Sequence, residues 1–391
     1  HHRAAEFFAF ARPAGPVFAA VGQAYALSNA GGQQAFVRVG GEAAAAGFDG
    51  DLECHTWAFW WVGVSARRRQ PGIFANLDLA MGFLGARPAR FRRTRVLVVG
   101  CGDVGTRAAA VLGAKPSPVS RGPRVLALTS SPDRVAALRA AGIQPLLGNL
   151  DQPASLQRLA GVAHRVLHLA PPPSDNLAHI QQDPRTRALL AALARRGRPS
   201  FLVYGSTTGV YGDCGGAWVD ETRPVNPTTA RAARRVDAEG RLRWWGRAMG
   251  VSTTVLRIPG IYAPNRPGGT PRERLLKGTP VLEQADDVYT NHIHADDLAR
   301  ACVRALWRGR PQRVVNVVDD TDLRMGDYFD LAADLYGLPR PPRLARADAQ
   351  GQLPLVLLSF MSESRRLHNQ RLKRELGVVL RYPTVEAGLR G

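Results

Sequence analysis

Gly100, Gly102 and Gly105 stand at the spacing G-x-G-x-x-G, directly behind the run Val96-Leu97-Val98-Val99 and ahead of Thr106-Arg107-Ala108-Ala109-Ala110-Val111-Leu112. Each glycine has a separate task in such a motif. The first permits a tight turn, the second lets the backbone approach a pyrophosphate, and the third lets a helix lie close against its strand. The helix start, with Asp103 and Val104, turns its unpaired N–H groups toward the anion. The other reading is a chance cluster in a chain with 40 glycines. That reading leaves the strand before and the helix after unexplained. The chemistry implied is nucleotide binding.

Further candidates for proton chemistry are Tyr211, Tyr262, His294 and the neighbours Asp220 and Glu221. Tyr211 and Tyr262 read better as packing residues than as acids. His294-Ala295-Asp296-Asp297 holds metal-ligand types, but no third ligand follows at a suitable spacing. A helix capped by Asp296 or Asp297 and running through Leu298, Ala301, Cys302 and Leu306 accounts for the same residues, so no metal site is expected. Cys54, Cys101, Cys214 and Cys302 lie far apart without a C-x-x-C pair, which predicts reduced thiols rather than a zinc knuckle or a disulfide framework.

The elements that must position these residues alternate from Arg95 onward as β-α-β units do. After the first strand, Val125-Leu126-Ala127-Leu128 reads as the second, Ser131-Pro132-Asp133-Arg134 as a helix start, and Ile143-Gln144-Pro145-Leu146-Leu147 as the third strand. Arg165–Ala170 reads as the fourth strand and Phe201–Tyr204 as the fifth. The spacing predicts an α/β fold of the Rossmann type, a doubly wound parallel sheet. Residues 93–257 would form that domain, and 258–391 would complete the sheet and add a smaller C-terminal substrate lobe, made from about 258–290 and 320–391.

With 391 residues and 45% hydrophobic content the chain can bury a large core. No stretch of eighteen uncharged apolar residues and no charged leader with an apolar core is visible, so the expectation is a cytoplasmic protein without a membrane partner. The net charge of +20 invites a nucleic-acid reading, but lysine occurs only at Lys115, Lys277 and Lys373, and the arginines are spread along the chain. No compact basic run is interleaved with aromatics. Nucleic acid is therefore not the expected partner. Residues 1–80 carry Gly40–Gly47, the aromatic cluster Trp57–Trp61 and the run Arg67-Arg68-Arg69 without a sustained period, and the first methionine is Met81. They are expected to be a non-domain extension or upstream sequence translated in error. A small Trp-rich cap or partner-binding element is the alternative.

Six segments occur in an order that resembles the NAD-dependent epimerase/dehydratase family: Gly100–Gly105, Gly148-Asn149-Leu150, Leu167–Pro172, Tyr204–Gly212, Arg257–Pro264 and His292–Ala299. The resemblance spans about residues 93–388, and Asn369–Gly377 with Tyr382-Pro383 are similar to that family's closing segment. It looks like an extended or atypical short-chain dehydrogenase/reductase. It implies that Gly100, Gly102, Asp103, Val104 and Gly105 cradle the pyrophosphate, and that Asn149 and Leu150 face the adenine. It further implies that Ala170, Pro171 and Pro172 lead toward the nicotinamide, where Pro259 and Ile261 also lie. Asn149 stands where an aspartate is usual. At the end of the second strand, where an acidic residue would select NAD, the chain has Thr129-Ser130-Ser131 followed by Arg134. Hydroxyls and a guanidinium at Ser130 and Arg134 suit a 2′-phosphate, so NADP is the expected cofactor, with NAD the other choice. Alternatively Ser131 caps the next helix and Arg134 is a solvated charge.

The resemblance breaks at the catalytic motif. Thr207 fits the Ser/Thr position, but register from Asn226-Pro227 and Glu239 puts the family's tyrosine position on Arg231 and its lysine position on Arg235. No tyrosine in the chain has a lysine four residues later. Arginine stays protonated near neutral pH, so Arg231 cannot serve as a general acid or base. Four apart on a helix, the two share a face. Arg235 would take over the ribose contacts and Arg231 would clamp a carboxylate or phosphate, with a solvated Arg-rich face as the alternative. Thr207 has an alternative role, bonding the local backbone at its strand end. The expected function is that of an NAD(P)-dependent oxidoreductase or epimerase acting on a small polar or sugar-like molecule. A non-catalytic NADP-binding sensor or scaffold is the alternative.

Overall fold

A computed structural model describes residues 93–114, 122–173 and 181–390 together with three strands near the N-terminus. The chain separates into two units, His1–Arg87 and Pro88–Gly391. In the first, Phe18–Val21, Ala24–Ser28 and Gln34–Arg38 form an antiparallel meander in that order. These strands are too short for an alternating pattern to register in the sequence. The rest of residues 1–80, including Trp57–Trp61, lies outside the described residues.

In the second unit, seven parallel strands form one sheet: β1 (Arg95–Val99), β2 (Arg124–Thr129), β3 (Gln144–Leu147), β4 (Arg165–His168), β5 (Phe201–Thr207), β6 (Ser252–Ile258) and β7 (Arg313–Asn316). Their order is β7-β6-β5-β4-β1-β2-β3. The direction of winding reverses at β1, between β2 and β4, where a crevice opens beyond the carboxyl ends of the strands. The helices are α1 (Asp103–Val111), α2 (Arg134–Ala140), α3 (Pro184–Ala194), α4 (Ala230–Met249) and α5 (Ala295–Arg308).

β1 shows why the sequence reads as one unbroken apolar run. Val96 and Val98 pack with Ala108 and Ala109 of α1 and Leu298, Cys302 and Leu306 of α5. Leu97 and Val99 point the other way, into a layer with Leu189 and Leu193 of α3 and Leu242 and Trp245 of α4. A strand covered on both faces needs no polar side.

Several expected boundaries shift, β1 and β2 by a residue at their ends. β3 starts one residue late, at Gln144. β4 ends at His168 rather than Ala170, because the chain must turn there to pass the glycine loop. β5 runs on to Thr207, since its pairing with β6 continues to Ile258. The cap of α5 is neither Asp296 nor Asp297: the His294 imidazole Nδ1 accepts from Asp296 N at 3.2 Å. Asp297 is fully buried and receives the backbone N–H groups of Arg381 and Tyr382, which fastens the C-terminal segment to α5.

Much of the chain after β6 forms a lobe with its own core, built on Leu275, Val281, Leu282, Met325, Phe329, Met361 and Leu389, while Leu372, Leu376 and Val378 pack into the core of the sheet. A two-stranded parallel ribbon, Gly260–Tyr262 with His292–His294, joins it to the sheet. No helix among the described residues is long and apolar enough to cross a membrane.

Candidate active site

The glycine loop behaves as its three positions require. Gly100 has φ +85°, and a Cβ there would press into the Ala170 backbone, with Ala170 Cα at 2.6 Å. The turn after β1 and the turn after β4 are therefore packed against each other. A Cβ on Gly105 would meet the Gly100 carbonyl oxygen at 2.9 Å, so α1 lies against the loop. A Cβ on Gly102 would meet no atom within 4 Å. That open position lies at the start of a helix with no side-chain cap, where unpaired N–H groups can receive an anionic group. The residues present therefore fit a dinucleotide pyrophosphate.

The other expected cofactor residues surround this crevice. Asp103 pairs with Arg107 at 2.8 Å and with Arg266 at 3.7 Å. Arg107 also reaches Asp296 and Asn265, at 2.5 and 2.7 Å, so α1, α5 and the loop after the ribbon are tied together. Ser130 is exposed after β2; Arg134 opens α2, exposed and without an ion pair among the described residues. Its charge acts on the Cys101 thiol, which burial nonetheless pushes up. Ser131 does not cap α2 through its side chain; its backbone N–H and carbonyl bond the Thr129 hydroxyl instead. The Asn149 side-chain Oδ1 accepts from Asp151 N at 3.0 Å, and Leu150 is half-buried beside it. Arg185 grips both Asp151 oxygens and the Pro171 carbonyl, joining the loop after β3 to Ala170-Pro171-Pro172.

Beyond β5 and β6 a cleft of about 730 Å³ separates the sheet from the lobe. Val104, Thr207, Arg231, Arg235, Pro259 and Ile261 all line it. Thr207 Oγ1 accepts from Gly209 N at 3.3 Å. Arg235 donates to the Gly205 carbonyl at 2.5 Å and the Tyr204 hydroxyl at 3.2 Å, so its guanidinium is seated rather than solvated. Arg231 is exposed, with its guanidinium carbon 5.0 Å from the Phe360 ring centre.

Tyr211 is not brought to the cleft. It is buried at 1% exposure, where its hydroxyl donates to Asn316 and burial pushes its pKa up, so of the two roles weighed for this candidate the surroundings are those of a packing residue. Asp220 and Glu221 are also absent from the cleft lining; Glu221 accepts from Asn316 N and pairs with Arg371.

Several cleft residues escaped the sequence reading. The lobe contributes Arg274, Tyr289, Tyr328, Phe329 and Arg365, and the ribbon contributes His292. His292 is buried, its Nδ1 has no hydrogen-bond partner among the described residues, and burial pushes its pKa down to about 4, which keeps it neutral. His292 lay inside a quoted motif and was the one legible signal; the others come from segments without a pattern.

Residues 96–317 match the NAD dependent epimerase/dehydratase family. The chain belongs to that family. Among solved structures, this epimerase/dehydratase chain is similar to a functionally unknown conserved protein from Silicibacter pomeroyi, at 31% identity and TM-score 0.60, covering 76% of this chain and 97% of that one. It also resembles UDP-glucose 4-epimerase from Thermotoga maritima, at 20% identity and TM-score 0.61, over 76% of this chain and 96% of that one. A third is dTDP-glucose 4,6-dehydratase from Streptomyces venezuelae with NAD bound, at 21% identity and TM-score 0.59, over 76% and 96%. The last two likenesses concern the fold. No curated protein matches.

Proposed function

We propose that this chain binds NADP across the crevice and carries out hydride chemistry on a small polar or sugar-like substrate in the adjoining cleft. The observation that carries this reading is that Val104, in the first turn of α1 two residues past the open Gly102 position, lines the same cleft as Thr207 and Arg235. Gly100, Gly102, Asp103 and Gly105 would hold the pyrophosphate, and Ser130 with Arg134 the 2′-phosphate. Asn149 and Leu150 would face the adenine, Ala170, Pro171 and Pro172 would lead to the nicotinamide, and Arg235, Pro259 and Ile261 would flank its ribose and ring. The bound cofactor would supply or accept the hydride.

Thr207 is the hydroxyl suited to orient a substrate oxygen. Arg231 would stabilise negative charge that develops on that oxygen, because a guanidinium cannot exchange a proton near neutral pH. A second reading, a dinucleotide-binding sensor without turnover, is favoured by that same substitution of arginine for an acid. The test is titration with NADPH and NADH, followed by a panel of carbonyl substrates. NADPH should bind more tightly, and Arg134→Ala should narrow the difference. Equal affinities would remove NADP selectivity, lack of binding would remove both readings, and tight binding with no turnover would favour the sensor.

A further inference from the structure

His292 stands on the ribbon strand His292–His294, paired in register with Gly260, so it lies one strand over from Pro259-Gly260-Ile261. All four residues line the cleft. Pro259 and Ile261 flank the nicotinamide in the reading proposed above, which puts His292 beside the reacting end of the cofactor.

The ring is held in one orientation. The Tyr328 ring leans on it, with centroids 4.3 Å apart at 37°, and the Tyr262 ring meets it edge-on at 6.3 Å and 87°. A Cβ on Gly260 would come within 3.7 Å of His292 Cδ2. The Cδ2–Nε2 edge of the imidazole therefore lies along the bare backbone of Gly260, which is exposed on the cleft. The opposite edge is closed. With the residue 8% exposed, Nδ1 is the ring nitrogen shut off from solvent without a hydrogen-bond partner among the described residues, and Nε2 is not.

A neutral imidazole has a single N–H. A buried N–H without an acceptor is a rarer orphan than a buried lone pair without a donor, so the hydrogen belongs on Nε2 and the bare lone pair on Nδ1. Burial keeps the ring in this neutral form. What the cleft is offered is one uncharged donor, fixed in direction by two tyrosine rings.

We infer that His292 is a substrate-binding residue whose Nε2–H donates a hydrogen bond to an uncharged oxygen, a carbonyl or a hydroxyl, of the molecule held in the cleft. This deepens the reading of the cleft as a substrate site and rests on it. His292 keeps its proton throughout, so it orients the substrate and exchanges nothing with it.

The test uses three probes on one ring, tetrahydropyran, tetrahydropyran-4-ol and tetrahydropyran-4-one, titrated against the full chain by ligand-observed NMR. The alcohol is paired with NADPH and the ketone with NADP, so neither can react. Both should bind more tightly than the unsubstituted ring. His292→Phe keeps an aromatic ring without the donor and should bring both down to the unsubstituted ring, a loss of roughly three- to tenfold. His292→Gln returns an N–H at similar reach and should recover part of it. In the chain labelled with nitrogen-15 histidine, where His292 is identified by its absence in His292→Phe, Nε2 should carry the proton at neutral pH and its signal should shift when the ketone is added. NADP affinity should not move in either variant. Equal binding of the three probes, binding of none, affinities indifferent to His292→Phe, or a proton on Nδ1 would overturn the inference. A fall in NADP affinity that matches the fall for the probes would put the bond on the cofactor and overturn it as well. Failure of the parent to bind NADP while the probes still discriminate would overturn the cofactor reading alone.

Discussion

Glu239 of α4 holds Arg257 of β6 by a two-point ion pair in the interior, Oε1 to Nε at 3.2 Å and Oε2 to Nη2 at 2.7 Å, with both side chains 5% exposed. The Ser206 hydroxyl, next to Thr207 on β5, donates to the same carboxylate at 2.5 Å. One carboxylate thus joins a helix to two strands and fixes how α4 is rotated. Arg235 and Arg231 stand one and two turns earlier on the same face, so this buried pair also aims the two arginines into the cleft.

Removing one partner of a buried pair strands the other charge, at a cost of about 3–5 kcal/mol. Glu239→Gln should therefore unfold at clearly lower urea than the parent. The joint replacement Glu239→Leu with Arg257→Met should recover stability relative to either single change, because no charge is left unpaired. An unchanged midpoint for Glu239→Gln would show that the pair contributes nothing to the fold.

The glycine loop separates folding from binding. Gly100→Ala puts a Cβ into the Ala170 backbone at a φ that favours glycine, so it should lower the melting temperature. Gly102→Ala meets no protein atom within 4 Å, so its melting temperature should match the parent while dinucleotide affinity falls. Thermal unfolding and a cofactor titration on both variants check this. A cofactor affinity that survives Gly102→Ala would mean that the pyrophosphate does not lie against this turn.

Asp319 offers a pH signature. It is buried, its Oδ2 has no hydrogen-bond partner among the described residues, and burial pushes its pKa up to about 8. A raised carboxyl pKa means that the folded protein holds the proton more tightly than the unfolded chain. Its contribution is present below the ordinary aspartate range and is lost as pH rises toward 8. Asp319→Asn mimics the protonated form. Its stability advantage over the parent should grow by about 1.4 kcal/mol per pH unit through that window and level off above it. A constant difference between pH 4 and pH 8 in urea unfolding would contradict the assignment.

The strands and the glycine motif were legible because they are local: a covered strand is an apolar run, and a nucleotide turn is a spacing. That Arg231 and Arg235 share a face of α4 was also legible, from their spacing of four. The Glu239–Arg257 pair itself was not, because its partners sit on different elements and no pattern couples them. The open edge of His292 was equally hidden, since only the fold shows which of its ring nitrogens is shut in. The His294 cap lost to Asp296 and Asp297 in the sequence because aspartate is the commoner capping residue; in the fold Asp297 is drawn inward by Arg381 and Tyr382.

On the proposed function, Arg231 and Arg235 set how much chemistry the cleft performs. A positioned acid or base typically contributes about 10²–10⁴-fold in rate. With arginine at the tyrosine position the parent should turn over simple aldehydes, ketones and nucleotide sugars weakly or not at all, with cofactor binding intact. Arg231→Tyr together with Arg235→Lys supplies a titratable hydroxyl and an ammonium one helical turn apart, on a helix whose rotation Glu239 fixes. The pair should create or raise reductase activity, read as NADPH oxidation at 340 nm in the presence of a carbonyl substrate. Each single change should do less, since the hydroxyl needs the neighbouring charge to lower its pKa. Robust turnover by the parent that survives both Arg231→Ala and Thr207→Ala would move the chemistry away from α4 and toward the lobe, where His292 is the neutral imidazole on the same cleft.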